Sequence, residues 1–351
     1  MNNTVTIAVD GMGGDNAPHI VLEGIAIACK QIPTLNILLF GDEQKLKPVI
    51  KEKFPQIEQS ITYRHTDDIV GSEDKPSQAL RHGRKSSMAQ AIQAVKGGEA
   101  AVAVSAGNTG ALMALAKFIL RTMPGIDRPA LASPIPTMKG ESVMLDLGAN
   151  IECDANNLVQ FAVMGSAYAR TVLGLLKPSV GLLNVGVEEL KGKDSIREAA
   201  DVLKDASHLP LSFGGFVEGD GITCGDFDVI VSDGFTGNVA LKTAEGTFKF
   251  ISKLLGDSFR SSFRSKIGYL LARPGMQSLK DHLDPNNHNG AVFLGLNGLV
   301  VKSHGGATSE GFANAILVAS DMAQNDIIKL IDEDLNEIRN SEELAIVNSL
   351  K

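Results

Sequence analysis

The stretch Ala100-Ala101-Val102-Ala103-Val104 runs into Ser105-Ala106-Gly107-Asn108-Thr109-Gly110 and then into an apolar segment from Ala111 to Leu120. A short apolar run that feeds a helix through a Gly/Asn/Thr turn is the building unit of an α/β fold. The unit recurs at Asp228-Val229-Ile230-Val231, followed by Ser232-Asp233-Gly234-Phe235-Thr236-Gly237-Asn238 and a helical pattern over 239–250. Such turns leave backbone N–H groups and the positive end of a helix dipole facing the loop, which makes them anion sites. Several of them at one edge of a parallel sheet suit a phosphate or a developing oxyanion.

Further strands are expected over 5–9, 35–40, 61–65, 142–146, 179–184 and 298–302, with helices between many of them, as over 18–30, 87–95 and 156–174. Most of the apolar runs lack clean alternation, as expected for strands covered on both faces. The pattern predicts an α/β/α sandwich with a largely parallel sheet. With 351 residues the length suggests two domains. No Pro/Ser-rich linker divides the chain, so 1–351 reads as a single elaborated domain. From Gln324 onward an acidic amphipathic helix is expected as a surface element.

A net charge of -8 speaks against general nucleic-acid binding. Cys29, Cys153 and Cys224 are far apart, form no CxxC pair and suggest neither zinc nor disulfides, which fits a reduced, cytoplasmic protein. The N-terminus has no basic-then-apolar signal pattern, and no apolar stretch reaches the ~20 residues of a membrane span.

The first turn, Asp10-Gly11-Met12-Gly13-Gly14-Asp15, approaches a dinucleotide loop, but Asn16 stands where the third glycine belongs. Residues 186–195 approach a phosphate-binding P-loop, but Lys191 takes the place of a glycine. Asn108 and Thr109 add side-chain donors to their turn, and they equally suit a helix cap. Lys242 offers a point charge near the second turn or a solvated helix position. Glu188, Glu189 and Lys191 either bind substrate or pair with one another on a loop. His304, after the last strand, is the best-placed histidine for proton transfer. Ser87-Met88-Ala89-Gln90 fits a capping box. No GxSxG elbow or Cys/His pair suggests a nucleophile.

A basic segment stands apart. Over 249–280 seven lysines and arginines face Asp257 alone. Phe259, Phe263, Ile267 and Leu270 or Leu271 recur at helical spacing. Gly256, Gly268 and Pro274 are expected to break it into a projecting helical hairpin. Arg260, Phe263, Arg264, Lys266, Leu270, Leu271 and Arg273 would form its membrane- or carrier-protein-facing surface, or simply a packing face.

Taken together, Met12-Gly13-Gly14-Asp15, Ser105-Ala106-Gly107-Asn108-Thr109-Gly110-Ala111, Leu145-Asp146-Leu147-Gly148-Ala149-Asn150, Glu188-Glu189-Leu190-Lys191-Gly192, Asp233-Gly234-Phe235-Thr236-Gly237-Asn238-Val239 with Lys242, and Ser303-His304-Gly305 resemble the PlsX family. These are the soluble phosphate acyltransferases of bacterial phospholipid synthesis. The resemblance runs in order over 5–321. Gly11 departs from the alanine or valine that the family carries before Met12.

The resemblance implies that acyl-[acyl-carrier protein] and inorganic phosphate give acyl phosphate and free carrier protein. It implies a Rossmann-like fold akin to phosphotransacetylases and isocitrate-dehydrogenase-like enzymes, a homodimer, and delivery to a membrane glycerol-3-phosphate acyltransferase. Peripheral contact with anionic membrane would accompany the basic hairpin. Neither metal nor cofactor is expected. Catalytic roles fall on Asn108, Thr109, Lys191 and His304. Substrate binding falls on Asp10, Gly13, Gly14, Asp15, Ser105, Gly107, Asp146, Asn150, Glu188, Asp233, Thr236, Asn238 and Lys242.

The chemistry agrees. Phosphate is already largely dianionic near neutrality and a thiolate leaves readily, its thiol pKa being about 8.5. Holding two anionic partners and stabilising the oxyanion is then the main task. Direct transfer without an acyl-enzyme is expected. The alternatives are a nicotinamide-dependent dehydrogenase and a non-catalytic membrane scaffold.

Overall fold

A computed structural model describes residues 5–206, 208–284 and 286–337. Its strands are β1 (Thr6–Asp10), β2 (Asn36–Gly41), β3 (Ile61–His65), β4 (Val102–Ser105), β5 (Ala130–Thr137), β6 (Gly140–Leu145), β7 (Ser179–Leu183), β8 (Ser212–Val217), β9 (Val229–Val231), β10 (Ala291–Leu294) and β11 (Leu299–Lys302). Its helices are α1 (His19–Gln31), α2 (Glu43–Lys53), α3 (Pro76–His82), α4 (Ser87–Lys96), α5 (Thr109–Leu120), α6 (Ala155–Val172), α7 (Asp194–Asp205), α8 (Gly234–Arg260), α9 (Phe263–Leu283) and α10 (Ser309–Gln324).

All the strands join one sheet in the order β3-β2-β1-β4-β11-β10-β5-β6-β9-β7-β8. Seven of its ten ladders are parallel. The three antiparallel ones are consecutive, β11 with β10, β10 with β5, and β5 with β6. An odd number of reversals leaves β6, β9, β7 and β8 pointing opposite to β1, β2, β3, β4 and β11. The carboxyl ends of the two halves therefore lie at opposite edges of the sheet. The anion-site turns do not share one edge, as a purely parallel sheet would require.

Side chains alternate between two cores, one on each face. Ile7, Val9, Val102 and Val104 join α1, α6 and α10, while Ala8, Ala103 and Phe40 join α4 and α5. Burial on both faces explains why the strand sequences lack a polar alternation.

Three strands went unread in the sequence, each for a physical reason. β5 contains Pro134 and Pro136, which cannot donate to a ladder. β10 pairs only with positions 130–132 of β5, so both prolines lie beyond its reach. β8 carries Gly214-Gly215; the ladder with β7 shifts register there and Gly215 has φ +102°, a conformation that favours glycine. β10 is four residues long and offers too little pattern to detect.

Residues 327–337 are helical. Their apolar face is not a surface element: Ile327, Ile331 and Leu335 are buried in the first core, and Asp334 pairs with Arg170 of α6. The basic segment 249–280 covers the end of α8 and most of α9, which are separated at Ser261-Ser262, where Ser262 caps α9 by accepting the Ser265 N–H. Gly256, Gly268 and Pro274, expected as breaks, lie inside the two helices. Phe263 and Leu271 are each 79% exposed. No helix among the described residues is long and apolar enough to cross a membrane.

Candidate active site

At the first edge the turns after β1, β4 and β11 meet. Asp10 ends β1 with its carboxylate fully buried. It accepts the hydroxyls of Ser87 (2.6 Å) and Ser105 (2.7 Å) and the N–H of Met12 (3.2 Å). Burial raises its pKa above the usual carboxylate value, and the hydrogen bonds oppose that shift only in part. Ser87 is therefore no helix cap. Ser86 caps α4, accepting the Ala89 N–H, and frees Ser87 to tie α4 to the site.

Gly107 N–H bonds Ser105 Oγ at 3.0 Å, and a Cβ on Gly13 would strike Asp10. Asp15 N–H reaches Gly305 O (3.0 Å), locking the first turn to the last. Gly14 sits against Ala106 in the same junction. Gly11, the position that departs from the family, fits because a Cβ there would lie 2.9 Å from Phe40 O.

Asn108 caps α5. Its Oδ1 accepts the Ala111 N–H (2.9 Å) and its Nδ2 donates to Ser72 O (2.6 Å) and Asp74 O (3.3 Å). The side chain is thus occupied as a cap and a tie. The N–H groups of Thr109 and Gly110 have no acceptor among the described residues. A helix N-terminus with open donors and a neutral cap favours an anion.

Sequence reasoning missed Lys302. It ends β11, where a terminal lysine looks like a solvated strand end, yet it is 7% exposed. Its ammonium donates to the carbonyls of Ser303 and, at 3.5 Å, Ala106. No carboxylate lies within ion-pair distance among the described residues. Burial lowers its pKa to about 8, helped by Lys242 and opposed by Asp15 and Asp10. Asn289, also unread, steadies this strand end by donating to Ser303 Oγ (2.8 Å) and accepting the His304 N–H (2.9 Å).

His304 Nδ1 accepts the Gly306 N–H at 3.1 Å, which leaves Nε2 as the protonated nitrogen of the neutral ring. Its pKa is lowered, first by desolvation and then by Lys242, so the ring is neutral at pH 7. Lys242 itself is exposed and held by Glu245 at 2.9 Å.

The second edge gathers the remaining motifs. Asp146, after β6, is fully buried and accepts the N–H groups of Leu131, Gly148, Ala149 and Asn150 and the Asn150 side-chain amide, all at 2.7–3.2 Å. The Leu145–Asp146 peptide is cis. Asp233 caps α8 by accepting the Thr236 N–H (2.7 Å) and pairs with Lys193 (3.0 Å). These contacts hold its pKa low against desolvation.

Gly234 touches this floor so closely that a Cβ would lie 2.6 Å from Asn150 O. Asn238 faces Gly148. Lys191 and Glu188 are exposed, 3.9 Å apart, on the loop after β7. The structure therefore brings Asp10, Gly13, Gly14, Asp15, Ser105, Gly107, Asn108, Thr109 and His304 together at one edge, and Asp146, Asn150, Glu188, Lys191, Asp233, Thr236 and Asn238 at the other. Helix α8 connects them: it starts at the second edge, and its Lys242, Glu245 and Lys249 act electrostatically on His304 at the first.

The fold is shared with a phosphotransacetylase from Streptococcus pyogenes, at TM-score 0.61 and 16% identity over 92% of this chain and 95% of that one. The EutD phosphotransacetylase from Staphylococcus aureus superposes with TM-score 0.57 and 18% identity over 91% of this chain and 94% of that one. The architecture is thus of the phosphotransacetylase type. A family model described as fatty acid synthesis protein matches residues 5–330. The chain is 56% identical over 99% of its length to a phosphate acyltransferase from Rhodospirillum centenum, covering 98% of that protein. It is 54% identical to one from Paramagnetospirillum magneticum, covering 97% of each. The chain belongs to this phosphate acyltransferase family.

Proposed function

We propose that the protein transfers a fatty acyl group from acyl-[acyl-carrier protein] to inorganic phosphate, yielding acyl phosphate for phospholipid synthesis. The observation that carries the reading is the first edge. A buried ammonium without a carboxylate partner among the described residues, an open helix N-terminus and a neutral histidine meet there in a member of a phosphate acyltransferase family.

Phosphate sits with its charge toward Lys302 and its oxygens on the Thr109 and Gly110 N–H groups. One phosphate oxygen attacks the thioester carbon. A C–O bond forms and, on collapse, the C–S bond breaks and the thiolate leaves. The neutral His304 donates Nε2–H to the oxyanion or the departing sulfur. Preorganised donors of this kind act on charge as it develops. Asp10 keeps Ser105 and its turn in place without facing the substrate.

The exposed Phe263, Leu270 and Leu271, with Arg260, Arg264, Lys266 and Arg273 around them, suit an acidic carrier protein or an anionic lipid surface. Docking there would place the product near a membrane glycerol-3-phosphate acyltransferase. A homodimer is part of the same proposal.

Purified protein, acyl-carrier thioester and phosphate should give a hydroxylamine-trappable mixed anhydride visible by phosphorus NMR. No product with phosphate in excess rejects the reading. Salt-sensitive sedimentation with anionic vesicles, weakened by Phe263→Glu, tests the hairpin separately.

A further inference from the structure

The run Arg81-His82-Gly83-Arg84-Lys85 closes α3 and forms the turn before α4. Helix α3 packs against α5, whose last turn carries Lys117 and Phe118 and leads into Arg121. Phe118 joins the two elements: the Arg84 guanidinium lies 4.8 Å from the centre of its ring and the Arg121 guanidinium 5.5 Å. Arg81, Arg84, Lys85, Lys117 and Arg121 are all exposed. None of them forms an ion pair with a carboxylate among the described residues. In a chain of net charge -8, this cluster of cations around one aromatic ring is a surface short of anions. We propose that it is the docking surface for the acidic acyl-carrier protein. The inference rests on the acyl-transfer reading above.

Three observations favour a folded acidic protein as the occupant. First, the surface is preformed, which lowers the ordering cost of docking. Arg84 O accepts the Gln93 side-chain amide (3.2 Å), and Lys85 O accepts the Thr66 hydroxyl (2.8 Å) and the Gln90 side-chain amide (2.7 Å). Second, Arg121 stands at φ +65°, where glycine is at ease and an arginine is strained. Asn297 holds it there, donating its N–H to Arg121 O (3.1 Å) and its side-chain amide to Leu120 O (3.2 Å) and Thr122 O (2.8 Å). Strain held by the surrounding structure marks contacts that a protein uses. Third, Phe118 is 40% exposed but shared by two guanidiniums. The patch thus offers forked donors to carboxylates rather than an apolar wedge to lipid. The segment around Phe263 and Leu271 has the opposite character, with its apolar side chains open.

The patch borders the candidate site without covering it. Lys85 lies two residues before Ser87, whose hydroxyl bonds Asp10 at the first edge. Along α5, Phe118 lies nine residues after Thr109, about 14 Å of helix axis. A partner held on the patch must therefore deliver its thioester to the Thr109 and Gly110 N–H groups on a flexible arm.

Two variants test this in the full chain, with circular dichroism and thermal melting as controls for folding. Arg121→Gly removes one guanidinium and should melt no lower than the parent, because φ +65° suits glycine. Arg84→Glu/Lys117→Glu reverses two exposed charges. Fluorescence anisotropy with a labelled acyl-carrier protein should show binding weakened about fivefold by Arg121→Gly and about tenfold or more by the double variant. Binding to the parent should weaken as salt is raised. The KM for the acyl-carrier thioester should rise by the same factors, with kcat and the phosphate KM unchanged. Acyl-pantetheine, the thioester without its protein, should react equally with parent and variants.

Parent-like carrier affinity in both folded variants overturns the proposal. So does an equal loss with acyl-pantetheine, which would mean that the patch acts on the reacting groups. Loss of sedimentation with anionic vesicles while carrier binding stays intact overturns it too, and would make the patch a lipid surface. If the parent forms no acyl phosphate from either thioester, the acyl-transfer reading fails, and the anisotropy titration still decides whether the carrier protein docks on the patch.

Discussion

Two turns of this protein carry almost the same letters. Ser105-Ala106-Gly107-Asn108-Thr109-Gly110 and Ser232-Asp233-Gly234-Phe235-Thr236-Gly237 share serine, glycine, threonine and glycine in register. Each ends a buried strand and opens a helix, and each lies beside a buried aspartate, Asp10 at the first and Asp146 at the second. They differ in the residue that caps the helix. Asn108 is a neutral cap and leaves the dipole of α5 uncompensated. Asp233 brings its own negative charge to the start of α8 and a lysine to balance it.

The cations follow the same division. Lys302 at the first edge is buried and donates to two carbonyls, whereas Lys193 at the second is exposed and already paired. On the proposed reading the first edge, and not the second, takes an external anion. The caps stand at different places in the shared pattern, Asn108 at its fourth position and Asp233 at its second, so α8 starts two residues earlier in the motif than α5. With the polarity reversal of the sheet, that separates the proposed phosphate site on one side from a charge-paired rim on the other.

The largest effect should come from Lys302→Met. Losing one preorganised donor to developing charge typically costs about 10²–10³ in turnover. Here part of the loss should appear as a raised phosphate KM. Removing the buried ammonium relieves its desolvation but leaves the Ser303 and Ala106 carbonyls without that donor. The variant should therefore stay folded, within about 2 kcal/mol of the parent, while nearly inactive. Full activity in Lys302→Met would remove the main distinction between the edges.

Much of the comparison was legible in the sequence. The apolar runs gave both turns, and Asn108 and Asp233 stood where caps belong. The reversal between the halves was not legible, because it depends on β5. Pro134 and Pro136 disguise that strand, and the tight Met138-Lys139 connection to β6 makes the two antiparallel. Without β5 and the short β10, the remaining strands read as one parallel set. Lys302 was hidden for a different reason. Periodicity cannot distinguish a charged residue at a strand end that snorkels to water from one walled in by three turns. Ser87 was assigned to a cap that its neighbour Ser86 makes, and its bond to Asp10 joins residues 77 positions apart.

The two aspartates should respond differently to Asn. Asp146 accepts four backbone N–H groups and one amide, all fixed in direction. An NH₂ in place of one oxygen must face a donor, and each buried group left unsatisfied costs about 1–3 kcal/mol. Asp146→Asn should lose about 2 kcal/mol in urea unfolding. Two of the partners of Asp10 are hydroxyls that can rotate to accept instead. Asp10→Asn should lose under about 1 kcal/mol. Equal losses would mean that the two carboxylates are held alike.

pH should move activity and stability in opposite directions through Lys302. Its pKa is lowered to about 8 in the folded protein from an ordinary 10.5. Between those values the unfolded chain binds more protons than the folded one, so stability rises with pH. Across pH 8–9 the gain is about 1 kcal/mol. Above pH 9 Cys153 opposes it, because its raised pKa makes the folded state the better proton binder. Activity should fall over pH 8–9 as the ammonium is lost. The groups around it are Asp10, Asp15, Lys242 and His304. Denaturation and rate measurements on the parent minus Lys302→Met isolate the effect. Parallel trends in that difference would mean that the ammonium is not the charge that holds phosphate.

The smallest effect should come from Lys193→Ala, the counterpart of Lys302 at the second edge. Lys193 is 68% exposed and its partner Asp233 keeps the helix cap without it. Exposed ion pairs are worth about 0–1 kcal/mol, so the stability loss should be a few tenths. The Asp233 carboxyl should titrate higher, since Lys193 is one of the groups holding its pKa down. Carboxylate-resolved NMR titration of parent and variant would measure that change. The phosphate KM should move by less than about twofold, because an already neutralised pair offers an anion little. A tenfold rise in phosphate KM would place the anion at the second edge. Asp233 would then be its competitor rather than a settled cap, and the assignment of the two turns would have to be exchanged.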